Sequence, residues 1–344
     1  MTEKTTAQYW QVDELESVTQ CPMCGVHSDS YLYQDLYDYL EGVPGIWNIR
    51  GCKGCKSLFM DPRPTREAIG KAYGTASYFT HKDPVSSNAV DNGDSLIWRL
   101  ANGYLNHRFG ANRSPSIGLG AAIIRCLPPV RHQLDYFYRH LPATPGRLLD
   151  VGCGNGSFLL RARDSGWIVE GIEPDPIAAE RAANSGLEVH HGNVHSYAVQ
   201  EARFDVITLS HVFEHLHNPQ EVLDRCLGLL KPGGVLWMSM PNIEGVGHKL
   251  YKKAWFPLDP PRHLLLPSRH EVKRLCSDAG FTEVDLLDRG RSGSGLLRLS
   301  AQRTRELGGR ARFDWFWILL SNVLSVVDPR YSDEMLVRAK KKKA

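Results

Sequence analysis

Leu148-Leu149-Asp150-Val151-Gly152-Cys153-Gly154-Asn155-Gly156 is the stretch whose reading decides the fold. A short apolar run ends in a Gly-x-Gly-x-Gly turn, which reads as a buried strand feeding a loop that opens a helix. Glycine tolerates left-handed backbone and lets the chain approach a ligand closely. In open α/β sheets, ligands sit outside the carboxyl ends of the strands, where this turn falls. The spacing is not the Gly-x-Gly-x-x-Gly of dinucleotide sites. An acid, Asp150, precedes the turn, and a second, Glu173, closes the next apolar run in Gly171-Ile172-Glu173-Pro174-Asp175. A carboxylate in that place can accept both hydroxyls of a ribose.

Working outward, strands are expected at Trp167 to Ile172, Leu187 to His190, Phe204 to Leu209 and Gly234 to Met240. Helices are expected at Phe158 to Asp164, Pro176 to Asn184, Pro219 to Leu230 and Arg269 to Ala279. Strands alternating with helices imply a parallel sheet covered on both faces. Upstream, Ala68 to Tyr73, Ser95 to Phe109 and Pro129 to Leu141 read as helices, and His81 to Asp94 as a loop. The organisation expected is a segment at 19–64, a helical linker or substrate cap at 65–146, the catalytic domain at 147–302, and an apolar helix with a basic tail at 303–344.

Asp150 to Gly156 resembles motif I of class I S-adenosylmethionine (SAM)-dependent methyltransferases. Glu173 matches that family's ribose-binding acid. Phe204 to Ser210 resembles its fourth-strand motif, and Leu230-Lys231-Pro232-Gly233-Gly234 the turn before its fifth strand. The resemblance covers about 147 to 300. It implies a Rossmann-like, doubly wound, seven-stranded α/β sheet, with SAM held by Asp150, Gly152, Gly154, Gly156, Glu173, Asn193 and Ser210. The position of Asn193 is often an Asp in that family, and an amide also hydrogen-bonds.

After the fourth strand comes Ser210-His211-Val212-Phe213-Glu214-His215-Leu216-His217-Asn218-Pro219. An Asp/Asn-Pro-Pro-aromatic turn, common in DNA and amine methyltransferases, is missing there, which weighs against nucleic-acid acceptors. The Glu214-His215 pair resembles that of small-molecule O- and C-methyltransferases, including ubiquinone-pathway and sugar enzymes. Histidine is the natural base near neutral pH. His215 is the first choice, His211 the second and His263 the third, with Glu214 orienting the ring. A metal held by His211, Glu214 and His215 is the alternative. Arg262 and His263, in Asp259-Pro260-Pro261-Arg262-His263, are expected over the substrate pocket.

Cys21-Pro22-Met23-Cys24 and Cys52-Lys53-Gly54-Cys55 are two tight knuckles, the donor set of a closed structural Zn²⁺ site. The other four cysteines, Cys126, Cys153, Cys226 and Cys276, read as buried thiols. The interval between the knuckles is rich in Tyr and Asp rather than Lys and Arg, which favours packing over nucleic-acid binding. From Leu58 to Phe79 the chain resembles bacterial methyltransferases that modify polysaccharides and sugars. That resemblance moves the expected acceptor toward a glycan; Tyr73, Tyr78 and His81 are expected as core aromatics first and as lining of the pocket mouth second.

The 344 residues carry a formal net charge of +3, too little to argue for nucleic acid. No run reaches the roughly 18 apolar residues of a spanning helix. The polar, acidic start, Met1 to Gln20, does not read as a signal peptide, so a cytoplasmic location is expected. Phe313 to Val327 is apolar and aromatic, and Lys340 to Lys343 are basic; the leading expectation is a helix packed on the catalytic domain or a partner, with a solvated tail, and the alternative is peripheral membrane contact through 313–343. The function expected is SAM-dependent O-methylation of a small molecule or glycan hydroxyl. The alternatives are a quinone-like lipid, a carbon nucleophile or a protein as acceptor, or a zinc-binding adaptor that keeps SAM only as a ligand. The sequence leaves oligomeric state open.

Overall fold

The computed structural model describes residues 9–73, 79–84, 95–198, 202–290, 294–311 and 314–343. The expected positions Tyr78 and Phe313, residues 85–94 of the expected loop and residues 1–8 lie outside them.

The N-terminal strands are β1 (Leu15–Glu16), β2 (Tyr31–Leu36), β3 (Trp47–Gly51), β4 (Leu58–Met60) and β5 (Arg63–Pro64). Three helices follow: α1 (Leu96–Phe109), α2 (Gly120–Arg125) and α3 (Pro128–Phe137). Ser95 caps α1 by accepting from the Trp98 N–H, and Gly110, at φ 66°, ends it. Ile69–Tyr73 is a 3₁₀ turn rather than an α-helix.

The main sheet is built from β6 (Arg147–Val151), β7 (Ile168–Glu173), β8 (Glu188–His191), β9 (Phe204–Ser210) and β10 (Leu230–Pro241). Helices α4 (Ser157–Asp164), α5 (Pro176–Asn184) and α6 (Pro219–Leu229) connect them. An insertion after β10 holds α7 (Val246–Tyr251) and β11 (Leu265–Leu266), and then come α8 (Arg269–Asp278) and β12 (Phe281–Leu287). Finally α9 (Ser294–Glu306) and α10 (Asp314–Val327) precede β13 (Glu334–Lys341).

The seven-stranded order is β12-β13-β10-β9-β6-β7-β8. Neighbours from β10 to β8 run parallel, while β13 pairs antiparallel with both β10 and β12. The inner strands are nearly all apolar, as burial on both faces requires. Leu148, Leu149, Ile207, Leu209, Leu236 and Met238 are fully buried. Pairing brings the carboxyl ends of β6, β7, β9 and β10 to one rim, where the glycine turn sits.

Two sequence expectations give way here. Half of the basic run read as a tail, Lys340 and Lys341, belongs to β13. Lys340 pairs with Glu283, and Lys341 Nζ donates to the Leu227 and Leu230 carbonyls at 2.8 Å each. Those carbonyls end α6, where a cation is favourable. The basic half of the proposed membrane contact therefore does not lie at 340–341. Of the four scattered cysteines, Cys153, Cys226 and Cys276 are buried and Cys126 is exposed. Among the described residues, no helix is long and apolar enough to cross a membrane.

The N-terminal segment is not self-contained. Its four-stranded sheet runs β11-β4-β3-β2, so the outer strand comes from the insertion after β10. Arg262, fully buried, ties the same insertion to the segment. It donates to both oxygens of Asp38 (2.8 and 2.6 Å), to both of Asp259 (2.9 and 2.6 Å) and to the Ala72 carbonyl at 3.2 Å. A guanidinium saturated in this way has no donor to offer a substrate, so the expectation that Arg262 faces the pocket is replaced by a structural role.

Candidate active site and cysteine centre

The glycine turn takes its shape from three left-handed residues, Gly152, Gly154 and Gly156, at φ 71°, 55° and 82°. Any other residue would be strained there. The Gly152 and Cys153 N–H groups donate to the Ile172 carbonyl at 2.8 and 3.1 Å, locking the turn to β7. Glu173 ends β7 and is largely buried. Its Oε2 accepts from the Gly154 N–H at 2.7 Å and its Oε1 from the Asp175 N–H at 2.9 Å. Burial, opposed by those two N–H groups, pushes its carboxyl up to about 7.

Asp150 is fully buried one step before the turn. It accepts from Thr208 Oγ1 at 2.8 Å and pairs with Arg139. The Arg139 guanidinium lies 3.8 Å over the Phe158 ring and also donates to Thr208 at 2.8 Å. A cavity of about 150 Å³ opens beside it, lined by Tyr136, Phe137, Arg139, Phe158, Arg161, Ser210 and Trp237. Ser210 was expected at this rim. Arg139 and Trp237 were not; the positive φ of Arg139, 47°, is a structural mark with no counterpart in local sequence. Asn193, at the far edge of the sheet, turns its Oδ1 onto the His195 and Ser196 N–H groups (2.9 and 3.1 Å), closing its own turn.

Beyond β9 the chain turns at His211, φ 54°, whose N–H donates to the Ser239 carbonyl at 2.8 Å. Val212 then lies against the glycine turn; a Cβ added to Gly152 would come within 2.4 Å of its Cγ2. Phe213–His215 forms a 3₁₀ turn that buries Glu214 completely. His211 Nδ1 lies 3.3 Å from Glu214 Oε1, and His263 Nε2 lies 3.9 Å from the same oxygen. Neither Glu214 oxygen has a hydrogen bond among the described residues. His211 Nε2 also meets Glu334 Oε1 at 3.0 Å. Against the partial desolvation of the ring, these two carboxylates raise His211 well above the ordinary histidine range.

His215 and His263 pack edge to face, ring centres 4.7 Å apart. His215 Nδ1 lies 2.9 Å from the Arg262 carbonyl and 2.8 Å from the Tyr73 hydroxyl; His263 Nδ1 lies 2.7 Å from the Pro257 carbonyl. A carbonyl only accepts, so each Nδ1 carries a proton and Nε2 is the ring nitrogen left unanchored. Burial, then the neighbouring His263, brings His215 down to about 4, so it is neutral at pH 7. The metal set expected from sequence was His211, Glu214 and His215. The group whose ligand atoms all lie within 4.8 Å of one another is instead Glu214, His215 and His263. Of the two pocket-mouth residues that are described, Tyr73 touches His215, while His81 pairs with Asp175 at 2.7 Å.

Cys21, Cys24, Cys52 and Cys55 form a second cluster of ligand atoms within 4.8 Å. The two knuckles match each other. Cys21 N–H donates to Val26 O and Gly25 N–H to Cys21 O, as Cys52 N–H does to Ser57 O and Lys56 N–H to Cys52 O. Gly25 and Lys56, each following the second cysteine, both have positive φ. Cross-pairs stand at 3.6 Å (Cys21–Cys55) and 3.4 Å (Cys24–Cys52). Four thiol sulfurs converging from two turns fit a tetrahedral Zn²⁺. Ser268, the cap of α8, donates to the Cys55 carbonyl at 2.6 Å and so holds the knuckle to the main domain.

Residues 129–286 match a family model described as a methyltransferase domain. Over 140 residues the chain is 36% identical to the ubiquinone biosynthesis O-methyltransferase of Salmonella arizonae, covering 39% of this chain and 57% of that protein. Over 107 residues it is 36% identical to the protein of the same name from Haemophilus ducreyi, covering 28% and 45%. The chain thus spans about half the length of the curated relatives it matches. Among solved structures it is similar to phosphoethanolamine N-methyltransferase 2 of Haemonchus contortus in complex with SAM. That match is 16% identical with a TM-score of 0.45, over 83% of this chain and 63% of that one.

Proposed function

Taking residues 129–286 as a methyltransferase domain of the SAM-dependent kind, we propose that the protein moves the methyl group of SAM to a hydroxyl oxygen of a small molecule or glycan. The observation that carries this reading is the contact of Val212 with Gly152. Val212 leads straight into the Phe213–His215 turn, so Glu214 and His215 follow this contact by two and three residues. Gly152 to Gly156 hold the methionine part, Glu173 the ribose, and Asn193 borders the adenine side. Asp150 and Ser210 complete the pocket.

In the reaction the acceptor oxygen attacks the methyl carbon, and the carbon–sulfur bond breaks with its electron pair staying on sulfur. The hydroxyl proton leaves to a base. His215 Nε2 is that base, its ring fixed by the Arg262 carbonyl through Nδ1. Glu214, buried beside it, stabilises the imidazolium that forms. The names of the relatives favour a quinone-like acceptor, while the resemblance of Leu58 to Phe79 favours a sugar. Incubation with SAM and separate panels of nucleotide sugars, glycans and phenols, read by product mass, tests the reaction and chooses between them. No methylated product from any panel would overturn the reading.

A second reading rests on Glu214. Its two unbonded buried oxygens and the Nε2 atoms of His215 and His263 are the donor set of a divalent cation, each imidazole anchored through Nδ1 to a carbonyl as metal-binding histidines are. A cation held there would lower the pKa of an acceptor hydroxyl. Activity that survives exhaustive chelation unchanged would exclude it. At the N-terminus, we assign a structural Zn²⁺ to Cys21, Cys24, Cys52 and Cys55.

A further inference from the structure

Helix α10 turns an apolar stripe outward. Trp315, Leu319, Val323 and Val327 are 68%, 56%, 52% and 78% exposed, and they recur at a spacing of four, one stripe along the helix. Phe316 and Val326 widen it. The side turned inward carries Ser321 and Ser325, both buried, beside half-buried Ile318, and Ser325 Oγ donates to the Gly290 carbonyl at 3.1 Å. A helix facing water has the reverse arrangement. The preceding α9 and its C-terminal turn add exposed Leu299 and Leu307. An outward apolar stripe of this kind marks an apolar partner.

The charges around it identify that partner. Between 294 and 327, the exposed charged side chains among the described residues are Arg298, Arg305, Arg310 and Glu306. A two-fold contact with a second copy uses one patch twice and sets these arginines against one another, which is unfavourable. An anionic lipid surface complements them. At 1.5 Å per residue the 14-residue helix is about 21 Å long, short of the roughly 30 Å hydrocarbon core, so it lies in the surface plane.

We propose that α9, α10 and the turn between them form an interfacial anchor that seats the protein on an anionic bilayer, with the α10 stripe in the headgroup–acyl boundary and Arg298, Arg305 and Arg310 against lipid phosphates. The test is sedimentation of the full chain with vesicles of phosphatidylcholine alone or mixed equally with phosphatidylglycerol. Binding to the mixed vesicles is expected to exceed binding to the neutral ones by at least about tenfold, and to fall about fivefold for each of Arg298→Ala, Arg305→Ala and Arg310→Ala. Leu319→Glu with Val323→Glu is expected to abolish it while leaving circular dichroism and SAM affinity unchanged, since both side chains point outward. No sedimentation with the mixed vesicles would overturn the proposal, as would wild-type binding by the double variant. A dimer in analytical ultracentrifugation that the double variant breaks, without vesicle binding, would give the face to a second copy.

Discussion

Glu334 meets His211 across 3.0 Å, joining the last strand of the sheet to the turn that leaves β9. The same carboxylate accepts the Tyr136 hydroxyl at 3.0 Å and pairs with Arg289, whose guanidinium lies 3.4 Å over the Tyr136 ring. Arg289 and His211 hold Glu334 well below the usual carboxylate range, against the burial that opposes ionisation.

Glu334→Gln keeps the shape and removes the charge, leaving two cations with one neutral partner. Breaking a buried pair costs about 3–5 kcal/mol. The His211 side chain is 41% exposed, so solvent screens its share, and about 1–3 kcal/mol is expected. Urea denaturation measures it; a loss below about 0.5 kcal/mol would show that the contact contributes little.

Glu173 predicts a pH dependence. Its carboxyl, at about 7, holds a proton in the folded protein that the unfolded chain releases nearer 4.5. The unfolded state binds fewer protons between those values, so the stability of the ligand-free protein falls as pH rises through that window. Ribose binding needs the ionised form. SAM affinity is therefore expected to weaken about tenfold from pH 8 to pH 6. Glu173→Ala should weaken it by about 1–3 kcal/mol at pH 8 and remove the pH dependence. Calorimetric affinities equal within twofold at both pH values would refute the ribose assignment.

The cysteine centre predicts about one zinc per chain in protein prepared without chelators. Cys52→Ser should release it. Because Ser268 binds the Cys55 carbonyl, the loss should loosen the start of α8 as well as the knuckles, seen as faster amide exchange in both. Elemental analysis without zinc would reject the assignment.

His215 predicts a rate effect without a binding effect. Removing a general base costs about 10²–10⁴-fold in kcat. His215→Ala should lose that much while SAM affinity stays near wild type. His215→Asn keeps a hydrogen bond but takes no proton, so recovery in it would reduce His215 to positioning. His263→Ala separates the two readings of the site: with His215 acting alone the loss is small, and with a cation it approaches that of His215→Ala.

Much of this was legible because it is local. The glycine turn, Glu173 and the two knuckles are each carried within a few residues, and their spacing alone specifies a turn and its donors. Ser95 signals the start of α1 by the same logic. The remainder depends on partners far away in sequence. Lys340 and Lys341 look solvated until Glu283 and the carbonyls at the end of α6 come into view. Arg262 looks like a substrate ligand until Asp38 reaches it. Arg139 carries no local sign of its meeting with Asp150, since only the packing of α3 beneath the sheet brings them together. His263 joins Glu214 through the insertion after β10, which no periodicity in the sequence places.

The antiparallel insertion of β13 has a consequence for synthesis. Tyr136 and Glu334, which hydrogen-bond in the finished molecule, are 198 residues apart. While ribosomes are still translating the segment between β12 and β13, the edges of β10 and β12 stand open with unpaired backbone groups, a template for wrong pairing. The nascent domain can assemble its glycine turn early. It cannot seal the sheet, or supply His211 with Glu334, until Glu334–Lys341 emerges, so the interval between those events is when a holdase chaperone would matter most.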